Sequence, residues 1–547
     1  MNRNQNIASL ETETFDVCII GGGATGAGCA LDAAMRGLKV VLIEKEDFAA
    51  ATSSKSTKLI HGGVRYLEQA VKKLSWAQFV MVKKSLKERR TLLKIAPHLT
   101  HPLPLLTPCF SLLEGWYYAI GLKIYDWISG TKNIGNSKWL SKPLALKRIP
   151  TLKKNKLASA VLYWDGQLDD LRFAMALVQT SARHGAVVIN HCSAATFGKD
   201  ENGKLNSLQA TDTLTGKKYT INARQFVNAT GPFADAIRQK ANPAAHKRIR
   251  VSRGIHISLP KEVMPGHTAM LIPKTDDGRL IFLIPYQNRL LVGTTDEECA
   301  LTEKEFGPTA KEIDYLLGYL NRYLDVHITP QQVRSGFGGL RPLLQAAPGA
   351  NTKELVRDHE VETDESSGLI SILGGKWTTY RLMAKDTMDT VEKNGTGITT
   401  LCKTDKEILF GGEPYQPAYF FDLIKKEVGW QEDITLHLIH KYGSQSLKIA
   451  TLAGANMGLQ KRLIADAPFT FAEVNYLLAN EMACTVKDIV ARRWGIALTD
   501  WDKTLQLIPV VGSTLARHFS WTDEACHLYI DQYMAEVEAM RGEAMGI

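Results

Sequence analysis

Two stretches of this chain, far apart in sequence, hold residue types that could move a proton and grip an anion. In the first, the hydroxyls of Thr52, Ser53, Ser54, Ser56 and Thr57 run into His61, Gly62, Gly63, Arg65 and Tyr66. Hydroxyls and loop amides suit a pyrophosphate and a polyol chain. An imidazole that titrates near working pH, with a guanidinium and a phenol beside it, suits acid–base work on a charged ligand. In the second, Gly338-Gly339-Leu340-Arg341-Pro342 precedes Gly374-Gly375-Lys376-Trp377-Thr378-Thr379-Tyr380-Arg381. A glycine-rich turn that opens a helix aims the positive end of the helix dipole at developing negative charge.

Such side chains need a scaffold, and Phe15 to Glu44, FDVCIIGGGATGAGCALDAAMRGLKVVLIE, begins it. Val17 to Ile20 has the β-branched apolar character of a buried parallel strand. Gly21, Gly23 and Gly26 then fit G-x-G-x-x-G: the first turns the chain, the second lets backbone approach a pyrophosphate, and the third lets a helix pack on the strand. The pattern predicts a helix over Ala24 to Arg36, ended at Gly37, and a second strand over Lys39 to Ile43. Glu44 closes that strand, where a carboxylate accepts hydrogen bonds from ribose hydroxyls and repels a 2′-phosphate. FAD or NAD is therefore expected in preference to NADP, and the fingerprint alone does not separate those two. Downstream, Gln225 to Gly231 reads as a strand ending in Ala229-Thr230-Gly231, small residues that let a flat ring approach the backbone. Residues 236–335 alternate as an antiparallel sheet does, and helical periodicity dominates from about Gly397.

With 547 residues, 45% of them hydrophobic, the chain can bury a large core, divided among roughly two to four domains. Met1 to Thr14 is polar, so no secretory leader is read and the chain is expected in the cytoplasm. The eight cysteines form no C-x-x-C pair, and His98 and His101 lie between Pro97 and Pro102 without a cysteine or carboxylate nearby. Free thiols and no metal site are expected. The formal charge of +9 is unevenly spread: between Val71 and Trp164 seventeen Lys and Arg face only Glu88, Glu114 and Asp126. Such segregation points to an anionic partner, a membrane surface or a nucleic acid, with a merely solvated basic face as the alternative. In that segment Leu113, Trp116, Tyr117, Ile120, Ile124, Trp127 and Ile128 fall on one helical face. Glu114, Lys123 and Asp126 make it too polar to span a bilayer, so the helix either lies in the headgroup region or covers an internal core. No nucleic-acid motif accompanies it, and nucleic acid is not expected.

Taken together, TSSKSTKLIHGGVRYLE, FVNATGPFAD, GTTD (Gly293 to Asp296), GGLRPL and GGKWTTYR resemble the FAD-dependent glycerol-3-phosphate dehydrogenases of the glycine-oxidase-like flavoprotein group. The resemblance spans Phe15 to about Arg381 and continues more faintly beyond. It implies an α/β fold with a Rossmann-like FAD-binding domain assembled from residues 1–75, 157–235 and 336–395. A basic, aromatic, membrane-facing helical region over 76–156, a sheet-based substrate domain over 236–335 and a helical C-terminal domain over 396–547 complete it. The implied reaction is oxidation of sn-glycerol 3-phosphate to dihydroxyacetone phosphate, with electrons passed to quinone at the inner face of a membrane. Resemblance and side-chain chemistry together suggest His61 as general base and Arg341 as phosphate anchor, with Arg65 or Arg381 assisting. Lys376 would stabilise the developing oxyanion or the charge near flavin N1 and C2=O, and Tyr66 would orient the substrate. FAD is expected on Gly21, Gly23, Gly26, Glu44, Thr52, Ser53, Ala229, Gly231, Gly375 and Thr378. Three departures from the family pattern, Gln167, Phe233 and Trp377, bear on packing or quinone approach. An oxidase that reduces O2 and an amine or amino-acid oxidase of the same fold stay open, as do the identity of the quinone and a homodimer.

Overall fold

The structure, a computed structural model, describes residues 1–63, 75–130, 133–345, 359–396 and 400–546. The expected strand–turn–helix–strand unit forms as Thr14–Ile20, Ala24–Met35 and Val40–Ile43. Thr14–Ile20 lies in the middle of a parallel core, between Val40–Ile43 and Lys218–Asn228, with Val187–Ile189 and Ile370–Gly374 outside them. Elements cover both faces, which is why the strand is apolar without alternation. The register sets Ile20 beside Ile43 and Asn228, so Gly21, Glu44 and Ala229 all leave the sheet at one edge. That carboxyl edge is where open α/β sheets bind ligands. The helix Ala24–Met35 packs closely on Tyr380–Val391: a Cβ at Gly28 would stand 2.9 Å from the Tyr380 ring.

A second sheet, ten-stranded among the described residues, stands beside the first. Its long axis is Ile249–Pro260, zipped to Ser335–Leu344 along one side and to Arg289–Gly293 along the other. Beyond lie Ile281–Tyr286, Ala269–Ile272, Thr100–Cys109, Ser159–Leu168 and Leu59–Ile60. The expected boundaries therefore need correction. Thr100–Cys109 is a strand inside the region read as helical, and the sheet recruits strands from well outside 236–335. Pro102, Pro104 and Pro108 disguise that strand, yet all three share one parity. Their missing donors fall on a single side, leaving the other side free to pair with Ser159–Leu168 throughout.

Helices make up the C-terminal part, from Pro417–Val428 to Asp523–Met545. Its core is continuous with that of the second sheet: Ile257, Leu283 and Val292 belong to one buried cluster with Trp494, Trp501, Ile508 and Val511. Buried polar pairs fasten it to the first sheet's domain. Arg172 makes a bidentate contact with Glu481 at 2.7 and 2.8 Å, Lys441 reaches Asp169 at 2.9 Å, and Arg493 holds Asp47. The polar N-terminal segment forms a helix, Arg3–Thr12, whose Arg3 pairs with Asp212 at 3.0 Å.

Candidate active site

At the shared carboxyl edge lies a cavity of about 300 Å³ lined by Gly21, Gly23, Glu44, Thr52, Ser53, Ala229, Gly231 and Gly375. Its geometry fits a dinucleotide. Gly21 has φ 109°, a turn that favours glycine, and a Cβ at Gly26 would stand 1.8 Å from the Gly21 carbonyl oxygen. Gly26 thus serves helix–strand packing and does not reach the cavity. The first turn of Ala24–Met35 carries no acid, so its positive end meets an anion unopposed. Ser53 Oγ accepts from Ala24 N at 2.9 Å, tying the hydroxyl-rich loop to that turn. The Glu44 carboxylate accepts from the N–H groups of Gly22 (2.7 Å) and Glu46 (3.0 Å), and burial holds its pKa above the usual range.

A second cavity, of about 590 Å³, shares Thr52, Lys55, Gly339, Leu340, Gly375, Lys376 and Trp377 with the first. His61, Arg341 and Lys376, from three separated segments, all line it. Arg341 is firmly seated. Its guanidinium donates to Asp296 at 2.8 Å, Thr294 Oγ1 at 2.9 Å and the Thr295 carbonyl at 2.9 Å, so the GTTD stretch is the cradle of this arginine. A Cβ at Gly254, two residues along the paired strand from Ser252, the register partner of Arg341, would stand 2.2 Å from Arg341 Nη2. Lys376 Nζ lies 3.4 Å from Met81 Sδ, at the mouth of the turn before Trp377–Thr379.

Behind His61 stands a buried polar network. Gly62 N donates to Tyr125 Oη at 2.8 Å, Tyr125 donates to Asp165 at 2.9 Å, and Arg89 pairs with Asp165 at 2.6 Å. A Cβ at Gly62 would stand 2.4 Å from both Leu86 and Tyr125, so the backbone after His61 is clamped between two helices. Burial lowers the His61 pKa; Asp165 opposes that shift, and Lys376 and Arg89 add to it. The imidazole is therefore neutral, the form a base needs.

Sequence reasoning missed His256. It lines the second cavity, sits 3.0 Å from Thr57 Oγ1, stacks on Phe337 at 5.0 Å, and leaves Nδ1 without a hydrogen-bond partner among the described residues. Burial, then Arg341 and Lys58, lower its pKa to about 3. The signal was present in IRVSRGIHISLP: Arg250, Ser252, Gly254 and His256 alternate along one face of a strand, and all four line this cavity.

Besides Gly26, two expected contacts are corrected. Arg381 lines neither cavity; it is buried against Glu88 on the helix Trp76–Ile95, in a bidentate contact of 2.6 and 2.7 Å. The first turn of its own helix directs it there, away from the adjacent glycines. Thr378 lines the second cavity and not the first. Arg65 and Tyr66 lie outside the described residues. The three departures have visible uses: Trp377 Nε1 donates to the Ser53 carbonyl at 2.8 Å, Gln167 donates to the Pro285 carbonyl at 2.8 Å, and Phe233 stacks under Lys45 at 4.4 Å.

Elsewhere, His191, Cys484 and Asp488 bring possible metal-ligand atoms within 4.8 Å of one another. Asp488 already accepts from His191 at 2.9 Å and from the N–H groups of Cys484 and Thr485, so the group reads as an interdomain contact. The helix Leu112–Ser129 turns Gly115, Leu122, Tyr125 and Ser129 inward. It leaves Leu113 (83%), Trp116 (55%), Ile120 (58%) and Trp127 (77%) exposed. Among the described residues no helix is long and apolar enough to cross a membrane.

Comparison with known proteins matches this arrangement. A family described as FAD dependent oxidoreductase covers residues 16–381, and one described as the C-terminal domain of alpha-glycerophosphate oxidase covers residues 402–526. The chain is 40% identical over 539 residues to a probable mitochondrial glycerol-3-phosphate dehydrogenase of Caenorhabditis elegans, covering 96% of this chain and 74% of that one. To the mitochondrial glycerol-3-phosphate dehydrogenase of Homo sapiens it is 38% identical over 536 residues, covering 95% and 73%. Among solved structures, the glycerol-3-phosphate dehydrogenase from Bacillus halodurans complexed with FAD matches with TM-score 0.80 and 28% identity, over 98% of this chain and 97% of that one. An L-alpha-glycerophosphate oxidase from Mycoplasma pneumoniae with FAD bound, at TM-score 0.54 and 16% identity, covers 70% of this chain and 95% of its own and shares the fold alone.

Proposed function

The chain belongs to the FAD-dependent glycerol-3-phosphate dehydrogenases, and from that premise we propose that it oxidises sn-glycerol 3-phosphate to dihydroxyacetone phosphate and passes the electrons to a membrane quinone. FAD, when bound, supplies the hydride acceptor at N5 of its isoalloxazine. One observation carries the reading: His61, Arg341 and Lys376 line one cavity, which shares Thr52, Gly375 and Lys376 with the glycine-lined one. Arg341 offers the phosphate a planar fork already oriented by Thr294, Thr295 and Asp296. His61, neutral and clamped through Gly62, takes the proton of the 2-hydroxyl as the C2 hydrogen departs with its electron pair. Lys376 stabilises the negative charge that develops on the 2-oxygen as that proton leaves. Arg65 and Tyr66 complete this reading as substrate contacts.

A quinone acceptor is favoured by the exposed face of Leu112–Ser129. Trp116 packs against Trp139, itself 42% exposed, and Trp76 on a neighbouring helix is 74% exposed. Lys123 lies on the same helix, Lys138 precedes Trp139 on its strand, and Lys142, Lys147 and Arg148 belong to the helix that follows that strand. Indoles flanked by lysines suit an anionic headgroup layer, which supports the reading of a peripheral protein on the inner face of the cytoplasmic membrane. Aerobic assay tests the acceptor: a ubiquinone analogue should be reduced with little peroxide formed, whereas stoichiometric peroxide would make the protein an oxidase.

A further inference from the structure

We infer that the C-terminal domain helps to retain the flavin: Lys487 and Arg492 hold Glu305, and through it a strap of residues 301–308 and Lys55, at the rim of the glycine-lined cavity. The strap contributes Thr302, Glu303, Lys304, Glu305 and Phe306 to that cavity's lining. Its inner end is fixed to the second sheet. Gly338 N donates to the Phe306 carbonyl at 2.9 Å, Arg253 lies 5.0 Å from the Phe306 ring centroid, and a Cβ at Gly338 would stand 1.9 Å from that ring. Its outer end is fixed to the dinucleotide unit, where Glu303 pairs with Lys45 at 2.8 Å, next to Glu44.

Between those ends, the Glu305 carboxylate serves both domains. It meets Lys55 Nζ at 3.0 Å, Lys487 Nζ at 3.4 Å and the Arg492 guanidinium, and Lys487 goes on to Glu536 at 2.6 Å. Lys55 is 6% exposed at its side chain and lines both cavities, and its carbonyl backs onto Gly339, where a Cβ would be only 3.0 Å away. With the Glu305 charge removed, Lys55 and Arg492 lose the carboxylate they share, and the arrangement loses the group that joins the strap to the helices. The strap then opens more often and the flavin leaves faster. This inference rests on FAD occupying the first cavity, and on no particular substrate, acceptor or base.

The test is the rate of FAD release from purified holoenzyme, followed by recovery of free-flavin fluorescence after dilution, together with the absorbance spectrum of the bound flavin. Glu305→Gln should release FAD at least about tenfold faster and shift the bound spectrum. Lys487→Met, altering a partly exposed side chain, should do so by a few-fold and decides the matter if Glu305→Gln does not fold. Lys441→Met severs a different interdomain pair, Lys441–Asp169 at 2.9 Å, and should stay within about twofold of wild type. Wild-type release and an unshifted spectrum in the folded Glu305 or Lys487 variants would overturn the inference. So would release from Lys441→Met as fast as from Glu305→Gln, since loosened docking in general would then explain the loss. Bleaching of the retained flavin by glycerol 3-phosphate in every variant would leave the proposed reaction standing in either case.

Discussion

His61 is a usable base because its surroundings remove the charged form. Burial outweighs the attraction of Asp165, so its pKa lies below the ordinary imidazole value of 6.5 and the ring stays unprotonated to lower pH. The acid limb of kcat/KM should therefore fall below pH 6.5, and a pH profile of wild type against His61→Asn checks it. The variant should lose roughly 100-fold or more in kcat, lose that limb, and keep its flavin. A drop of less than about tenfold would send the proton to another group. Tyr125→Phe removes the nearer acceptor of the Gly62 N–H and leaves it only Asp165 Oδ1 at 3.4 Å, a loss of about 1 kcal/mol that should appear in kcat with KM little changed. Arg381→Lys separates the two readings of that residue. Breaking the buried contact with Glu88 should cost about 3 kcal/mol of stability in a denaturant titration. A raised KM for glycerol 3-phosphate at unchanged stability would return Arg381 to the substrate.

At the scale of elements, legibility in the sequence followed chain continuity. Strand, glycine turn, helix and Glu44 are contiguous, and the expected helix and second strand agree with the observed bounds within a residue, while the first strand begins three residues earlier than its apolar run. The strand at Thr100–Cys109 was not legible, because its prolines advertise a break and its partner, Ser159–Leu168, lies far along the chain. Nor could the sequence say that GTTD cradles Arg341, since the contact exists only once Arg289–Gly293 and Ser335–Leu344 flank the same strand. The aromatic helix was legible as a face but not as an exposed one; only its packing shows that Tyr125 turns inward to the active site while Trp116 and Trp127 turn out. Trp116→Ser with Trp127→Ser should weaken flotation with anionic vesicles by about tenfold or more, leaving soluble-acceptor turnover unchanged. Undiminished flotation would show that the helix is not the contact.

The whole molecule depends on buried charge and on buried neutral imidazoles. His98 and His256 both have pKa values lowered to about 3, chiefly by burial, from 6.5. A folded pKa depressed in this way means that the unfolded chain binds the proton first. Stability is then complete above about pH 6.5 and is lost as pH falls toward 3. Thermal scans should show Tm falling steadily below pH 6, and His98→Asn should flatten that slope; an unchanged slope would place the acid sensitivity elsewhere. The convergence of residues 61, 341 and 376 was foreseeable only as a resemblance, because no local pattern brings three segments so far apart to one cavity. Its direct test is anaerobic mixing of the holoenzyme with glycerol 3-phosphate or with glycerol, followed at the flavin absorbance band. The phosphorylated alcohol should bleach the flavin rapidly and glycerol should not, and Arg341→Met should erase most of that preference. Equal bleaching by both alcohols, or none by either, would contradict the account.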